Sequence, residues 1–282
     1  MPEPGHIAPA VFSLAAIFIW GASDFIGGFG SRRTNAFVFT ALVHASGLGL
    51  MLVLALLLHS AFPSRQGALW ALAAGGIGGF ALAIFYRALA SGKMGLTAPV
   101  AALTGAVIPT LVDVRVEGLP GRWPLIGFAL AAGGIWLITR PEEGVGRPEG
   151  VGMAALAGVG FAGFYLCVRQ AGAGSPLWIA ACSRVASLLI TGTIVVVSRT
   201  PLVIDQSRAV LAMLGGFLDI SGTALFILAS QGGRLDEAVV MSSLYPAVTV
   251  LLARVFLKEQ FTRWKFVGLM AALAAVPMIA AG

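Results

Sequence analysis

Ten long apolar segments divide the chain, and short polar stretches separate them. Each segment can cross a bilayer, because about 20 helical residues rising 1.5 Å each span a hydrocarbon core of roughly 30 Å. The ten-residue alternation of a membrane β-strand is not seen. We therefore predict an all-α integral membrane protein with ten transmembrane helices, at residues 8–29, 36–58, 67–90, 96–116, 123–139, 150–170, 176–198, 208–230, 235–256 and 264–281.

The second half of the chain repeats features of the first. The pair Arg122-Trp123 at the start of the fifth segment recurs as Arg263-Trp264 at the start of the tenth. In the same way, Gly75-Gly76 in the third segment is matched by Gly215-Gly216 in the eighth. These matches, in the same order, predict a duplication of a five-helix unit.

The most polar stretch lies between the two units. We predict a first repeat over residues 1–141, a linker over 142–149 and a second repeat over 150–282. Because five is an odd number, the second repeat would enter the membrane with the opposite orientation. Inverted repeats of this kind build many secondary transporters, whose substrate site lies between the repeats near the middle of the membrane. A duplicated structural bundle without transport is the alternative.

Composition supports the membrane assignment and narrows the partners. The chain is 58% hydrophobic and 11% charged, whereas soluble proteins carry about 25% charged residues. Its net charge of +6 comes from basic residues scattered between the apolar segments, which is typical of anchors at lipid headgroups. We therefore expect the lipid bilayer and a small-molecule substrate as partners and no nucleic acid; the oligomeric state stays open, with a monomer as one option.

No pattern for catalysis or for a cofactor is present in the sequence. The histidines lack metal-ligand spacing, and a Walker A loop is absent. Cys167 and Cys182 lie in apolar segments and resemble small hydrophobic residues. We predict a protein that is not an enzyme and that binds neither a cofactor nor a metal.

Two acidic residues lie deep in apolar segments, and both are candidates for a polar site. Asp24 shares a helix face with Trp20, one turn earlier, and Asp219 shares one with Thr223. Acids at membrane depth are costly and usually face a bundle interior or a wet cavity, where they are candidates for proton coupling. A fixed ion pair with Arg87, Arg169 or Arg184 is the alternative for Asp219.

Hydroxyl and aromatic side chains in other segments extend the candidate site. The three tyrosines all fall within segments rather than at their ends, so their hydroxyl groups need partners. The predicted substrate-binding residues are Trp20, Asp24, Phe80, Tyr86, Thr104, Tyr165, Asp219, Thr223, Ser242 and Tyr245.

Prolines mark the helices that are candidates for gating. Pro99 and Pro109 are predicted to interrupt the fourth segment, and Pro246 to interrupt the ninth, its repeat equivalent. Proline removes a backbone hydrogen bond, and interruptions at corresponding positions of two repeats point to a binding site. Simple kinks are the alternative.

Two short stretches resemble a known family. The run Ile19–Phe25 resembles the Trp-Gly-Ser-Ser opening of EamA-type transporters in the drug/metabolite transporter superfamily. The run Phe256–Thr262 is similar to their Phe-Leu-Gly-Glu-x-Leu-Thr segment, and Gly268 follows as expected; the first-half version, Val116–Pro120, is degenerate. The resemblance implies ten helices, a central cavity lined by both repeats, and export of small metabolites. For Glu259, in the second motif, we expect a structural or gating role.

The resulting functional prediction is a secondary transporter of the inner membrane. It would export a small polar or amphipathic metabolite, with an amino acid as the first choice, by alternating access. A proton-coupled exporter of drugs or cationic compounds is the alternative.

The membrane orientation stays open. Loops on the side of the N-terminus hold five Lys or Arg residues and the opposite loops hold eleven, which favours both termini outside, whereas the resemblance implies both inside.

Overall fold

A computed structural model describes residues 4–139, 149–259 and 262–279. The predicted linker lies almost entirely outside these ranges. Within them the chain forms eleven α-helices and no strand: α1 (Pro4–Ser31), α2 (Ala36–Leu57), α3 (Arg65–Ser91), α4 (Met94–Glu117), α5 (Arg122–Thr139), α6 (Val151–Ala171), α7 (Pro176–Val197), α8 (Gln206–Gly232), α9 (Leu235–Ser242), α10 (Tyr245–Leu257) and α11 (Arg263–Ile279).

Eight helical spans in the described ranges are long and apolar enough to cross a membrane. Seven are α1 (from Ala8), α2, α3, α4, α6, α7 and α8, and the eighth is α9 together with α10, over Leu235–Leu257. Helices α5 and α11 contain 18 and 17 residues and pack against each other. The prediction of an all-α membrane protein is confirmed, whereas the number ten stays a prediction.

Side-chain caps start several of the long helices. The Oδ1 of Asn35 accepts hydrogen bonds from Phe37 N and Val38 N at the start of α2. Ser64 caps α3 in the same way, and Asp205 caps α8. Such caps satisfy backbone donors that a helix leaves unpaired at its first turn. The connections from α1 to α2, from α2 to α3 and from α3 to α4 are short, which is typical of neighbouring helices that run in opposite directions.

The ninth span is broken where a proline was expected to break it. Helix α9 ends at Ser242 and α10 begins at Tyr245, with Pro246 in its first turn. The expected interruption of the fourth span is wrong, because α4 continues through Pro99 and Pro109. Membrane helices tolerate internal prolines where packed neighbours and hydroxyl side chains satisfy the freed backbone groups.

The helix pairs that pack most extensively come from opposite halves of the chain. Helix α3 packs on α6 and α1 on α8; α3 also packs on α7 and α2 on α8. Glycines permit close approach at these contacts: a Cβ at Gly222 of α8 would lie 2.6 Å from Trp20 Cδ1 of α1. At Gly79 of α3, a Cβ would lie 2.5 Å from Ser187 Cα of α7. Small residues let membrane helices pack backbone to backbone.

Candidate functional site

A small internal cavity lies where both halves of the chain meet. Its volume is about 50 Å³, which is enough for a few water molecules. Helices α1 and α3 of the first half and α6, α7, α8 and α10 of the second half form its wall. The lining residues are Trp20, Asp24, Gly78, Gly79, Leu82, Phe161, Phe164, Tyr165, Arg184, Ser187, Asp219, Thr223 and Tyr245.

Arg184 of α7 is the centre of the polar network in this cavity. Its guanidinium forms an ion pair with Asp219, with 2.6 Å between Nη2 and Oδ2. The same nitrogen donates to Thr223 Oγ1 at 3.0 Å, and Thr223 in turn donates to the carbonyl oxygen of Asp219 at 2.9 Å. Both charged side chains are 6–7% exposed. Of the three arginines considered for Asp219, the structure therefore places Arg184 beside it.

His44 of α2 contacts the guanidinium of Arg184. Its Nδ1 lies 3.4 Å from Arg184 Nη1, and its Nε2 lies 3.5 Å from the carbonyl oxygen of Gly79. Arginine only donates hydrogen bonds, so Nδ1 must accept and the ring must carry its proton on Nε2. This arrangement therefore requires a neutral imidazole and adds no second positive charge beside Arg184.

Asp24 faces the same cavity without a cationic partner. The residue is 5% exposed, and within the described ranges its carboxylate forms neither a hydrogen bond nor an ion pair. It lies close enough to Asp219, Tyr165 and Tyr245 to interact with them electrostatically. With both acids ionised, the cavity holds two negative charges against the one positive charge of Arg184.

Aromatic rings surround the polar groups. Trp20 donates from its indole Nε1 to the carbonyl oxygen of Asp219 at 3.1 Å. Its ring lies 5.5 Å from Phe226 and meets Tyr245 edge-on at 6.4 Å, and Tyr165 lies 4.9 Å from Phe226. The wall is thus apolar and aromatic with a few oriented polar groups, which is the usual construction of a small-molecule site.

The structure brings six of the ten predicted substrate-binding residues together at the cavity. They are Trp20, Asp24, Tyr165, Asp219, Thr223 and Tyr245. The other four do not line it. Phe80 lies on the outer face of α3, 41% exposed, and contacts the ring of Phe37. Tyr86 is fully buried with its hydroxyl 3.4 Å from that of Ser23, Thr104 bonds its own helix, and Ser242 is buried beside the break before α10.

Sequence reasoning named Arg184 only as a partner and missed the rest of α7. Ser183, Ser187 and Thr191 are buried with it, at four-residue spacing along one face of an otherwise apolar helix. This spacing of hydroxyl groups is a signal that the sequence contains. The backbone of Gly78 and Gly79 lines the cavity without a side chain and gives no such signal.

Charged clusters join the helix ends at both faces of the bundle. At one end, Arg169 at the end of α6 pairs with Asp113 and Glu117 of α4, and Asp113 accepts from the backbone N of Asp236 at 2.9 Å. Arg234 also bonds Asp236 there, which raises the pKa of its guanidinium further.

At the other end, a single acid holds the start of α4. The carboxylate of Glu259 accepts from Met94 N at 3.2 Å and Gly95 N at 3.1 Å, and Arg32 lies 3.7 Å away. This position gives Glu259 the structural role expected for it, while a role in gating stays a prediction. In the described part of the chain, no three His, Cys, Asp or Glu residues are grouped to hold a metal ion.

Comparison with known proteins supports the family resemblance. Residues 148–281 match the EamA-like transporter family. Solute carrier family 35 member G1 of Mus musculus is 27% identical over 174 residues, which cover 60% of this chain and 46% of that protein. The second half of the chain thus matches the EamA-type transporters of the drug/metabolite transporter superfamily, the family that the sequence resemblance named. Both matches are to transporters rather than to enzymes.

The comparisons also show the fold of this chain and its length relative to the mouse protein. A protein of known crystal structure superposes on 96% of this chain and 95% of its own, with a TM-score of 0.75 and 16% identity. At that identity the likeness shows the fold alone. The chain spans about half the length of the mouse relative.

Proposed function

We propose that this protein is a secondary transporter that moves a small amphipathic solute bearing an amino group, with a zwitterionic amino acid as the first choice, by alternating access. The observation that carries the proposal is the cavity shared by both halves of the chain, in which the buried carboxylate of Asp24, without a cationic partner among the described residues, lies near the buried Arg184. Export is the direction that the family resemblance implies, and the inner membrane is the location that we propose.

The packing of the helices supports an inverted repeat of two five-helix units, over residues 1–141 and 150–282. Exchanging the halves turns the pair α1–α8 into α6–α3 and the pair α2–α8 into α7–α3, and all four contacts are present. The pairs α2–α7 and α5–α11 exchange with themselves. This is the pattern of a pseudo-two-fold axis, and an odd number of spans in each unit makes that axis lie in the membrane plane.

The unused polar groups of the cavity match the two ends of an amino acid. Asp24 offers a carboxylate to an ammonium group. Arg184 still has donors available, among them its Nε, which is buried without a hydrogen-bond partner in the described residues. The hydroxyl of Tyr245 is buried and unpartnered in the same way. Carboxylates are bound well by arginine, and the aromatic wall suits an apolar side chain.

The present conformation is too closed for such a solute. Because the cavity holds only a few water molecules, binding requires the walls to separate. The break between α9 and α10 lies next to the cavity residue Tyr245, and its backbone is not held by a continuous helical ladder. We therefore assign the gating motion to Pro246 and this break, and we assign no gating role to the continuous α4.

A second candidate function is favoured by the charge of Asp24. An organic cation would neutralise this carboxylate, and the rings of Trp20, Tyr165 and Tyr245 would stabilise a cation near their faces. In this version a proton and the organic cation bind in turn to the same carboxylate. That carboxylate is Asp24, or Asp219 once its ion pair with Arg184 has opened. The protein would then be a proton-coupled exporter of cationic compounds.

Reconstitution in proteoliposomes tests both versions. Exchange of radiolabelled neutral amino acids and of the lipophilic cation tetraphenylphosphonium is measured for the wild type, for Asp24→Asn and for the exposed control Glu149→Gln. An amino acid carrier exchanges an amino acid, and Asp24→Asn weakens this exchange by about tenfold or more because a charge-assisted hydrogen bond is lost. A cation exporter moves the cation, and Asp24→Asn abolishes that movement. Exchange of neither probe class by the wild type would contradict the proposal.

A further inference from the structure

A second cavity lies at one end of the bundle, away from the aromatic site. It is formed by the turn between α1 and α2 and by the last turn of α3, and it has a volume of about 380 Å³. Its wall includes Ser31, Arg32, Thr34, Arg87 and Ala90. Neither the proposed transport mechanism nor the packing of the helices uses this space.

Two arginines make this cavity electropositive. Arg87 has no ion-pair partner in the described ranges. Arg32 has one acidic neighbour, Glu259, at 3.7 Å, and most donors of its guanidinium remain available. The start of α2 adds the positive end of a 22-residue helix. Its first amide groups are already taken by Asn35, so the guanidinium groups would provide the direct contacts.

Two buried hydroxyl groups in the same wall lack partners. Ser31 and Thr34 are each 8% exposed, and neither Ser31 Oγ nor Thr34 Oγ1 has a hydrogen-bond partner among the described residues. A buried hydroxyl without a partner costs roughly 1–3 kcal/mol, and such groups in native proteins usually serve a ligand or a bound water. Here both line a cavity that is also positively charged.

The other half of the chain fills the corresponding space with a side chain. Gln231, the next-to-last residue of α8, donates from Nε2 to the carbonyl oxygens of Gly172 and Gly174, both at 2.9 Å. These glycines form the turn between α6 and α7. At the 140-residue offset that relates Gly75-Gly76 to Gly215-Gly216, the counterpart of Gln231 is Ser91. The short side chain of Ser91 donates to the carbonyl oxygen of Arg87 in its own helix and leaves the space beside the α1–α2 turn open. The two halves therefore differ at this point, and the first half has a cavity where Gln231 bonds the turn in the second.

We propose that this cavity binds a phosphate-bearing anion. Two guanidinium groups and two hydroxyl donors match the several acceptor oxygens of a phosphate, and arginine binds phosphate with two parallel hydrogen bonds. The loops at this end of the bundle also contain most of the basic residues of the chain. The same chemistry is offered by the headgroup of an anionic phospholipid and by a soluble phosphate, and the experiment separates these sources.

The test uses the full-length protein, delipidated in detergent, and two probes. Native mass spectrometry measures bound dioleoylphosphatidylglycerol, with dioleoylglycerol as the matched lipid without phosphate. Thermal unfolding with and without inorganic phosphate measures the soluble source, since a ligand that binds the folded state raises its stability. The variants are Arg87→Gln, Ala90→Gln, which places a longer side chain in the cavity wall, and the exposed neighbour Arg33→Gln as control.

The wild type is expected to bind at least one phosphate probe and not dioleoylglycerol. Arg87→Gln and Ala90→Gln are expected to weaken this binding by about tenfold or more, while Arg33→Gln changes it less than about threefold. Binding of the lipid alone or of phosphate alone supports the site and identifies its source. The proposal is overturned if neither probe binds, or if Arg87→Gln and Ala90→Gln bind as tightly as the wild type. It is also overturned if Arg33→Gln weakens binding as much as Arg87→Gln, because the attraction would then be diffuse surface charge.

Discussion

The ion pair between Arg184 and Asp219 gives the sharpest stability prediction. In Asp219→Asn, the guanidinium keeps only the neutral partners Thr223 and His44, and its charge stays buried without compensation. In Arg184→Met, the Asp219 carboxylate is left near Asp24, a second carboxylate. Breaking a buried pair by removing one partner costs about 3–5 kcal/mol. We therefore expect each single variant to lose this much free energy of unfolding.

The double variant Arg184→Met/Asp219→Leu removes both charges together. The remaining losses are small, because Thr223 still donates to the carbonyl oxygen of residue 219 and His44 loses one long hydrogen bond. Replacing a buried pair by apolar residues is often neutral or stabilising. We expect the double variant to lie within about 1–2 kcal/mol of the wild type, since each lost neutral hydrogen bond costs about 1 kcal/mol. The single losses sum to about 6–10 kcal/mol.

Unfolding in mixed detergent micelles, titrated with sodium dodecyl sulfate, measures these free energies. The control is Arg208→Gln, which breaks a more exposed pair with Asp205 at the surface and is expected to cost at most about 1 kcal/mol. The reasoning is refuted if the single variants cost no more than Arg208→Gln. It is also refuted if the double variant loses the sum of the two single losses.

Three further substitutions test other parts of the structure. Glu259→Gln weakens two charge-assisted hydrogen bonds at the start of α4 and should lower the free energy of unfolding by about 1–3 kcal/mol, measured in the same titration. Gly222→Ala places a Cβ against Trp20, so it should lower the free energy of unfolding by about 1–3 kcal/mol and slow solute exchange severalfold. The control Gly192→Ala, with open space around its Cα, should change neither quantity. Pro246→Ala lets the ninth span become continuous and should slow exchange more than it lowers the melting temperature; unchanged exchange would contradict the gating assignment.

Hydrophobic pattern alone predicted most of the helices. The segment expected at 36–58 is α2, and the one expected at 176–198 is α7, each within one residue at either end. This agreement follows from the bilayer, which requires every span to be a long apolar helix. The proline rule was right at Pro246 and wrong in α4, since whether a helix breaks depends on what packs around the freed carbonyl groups, and a sequence does not contain that information.

The candidate site was predicted less completely because it depends on contacts between distant parts of the chain. Asp24 and Asp219 were found since an acid in an apolar segment is conspicuous. His44 was missed because a single histidine in an apolar helix forms no pattern, and its partner Arg184 lies 140 residues away in sequence. Phe80 was predicted to line the site, but its side chain lies on the outer face of α3. Aromatic residues are common on lipid-facing surfaces, so an aromatic residue in an apolar segment does not by itself indicate a site.

The opposite orientation of the two halves is the central claim, and thiol labelling of intact cells tests it most directly. Cys167 and Cys182 are first replaced by alanine, and a single cysteine is then introduced as Ala61→Cys in the α2–α3 loop or as Val203→Cys in the α7–α8 loop, both exposed. Inverted halves place these equivalent loops on opposite faces of the membrane. An impermeant maleimide should therefore label one of the two variants in intact cells and the other only after permeabilisation. Labelling of both variants from the same side would contradict the account.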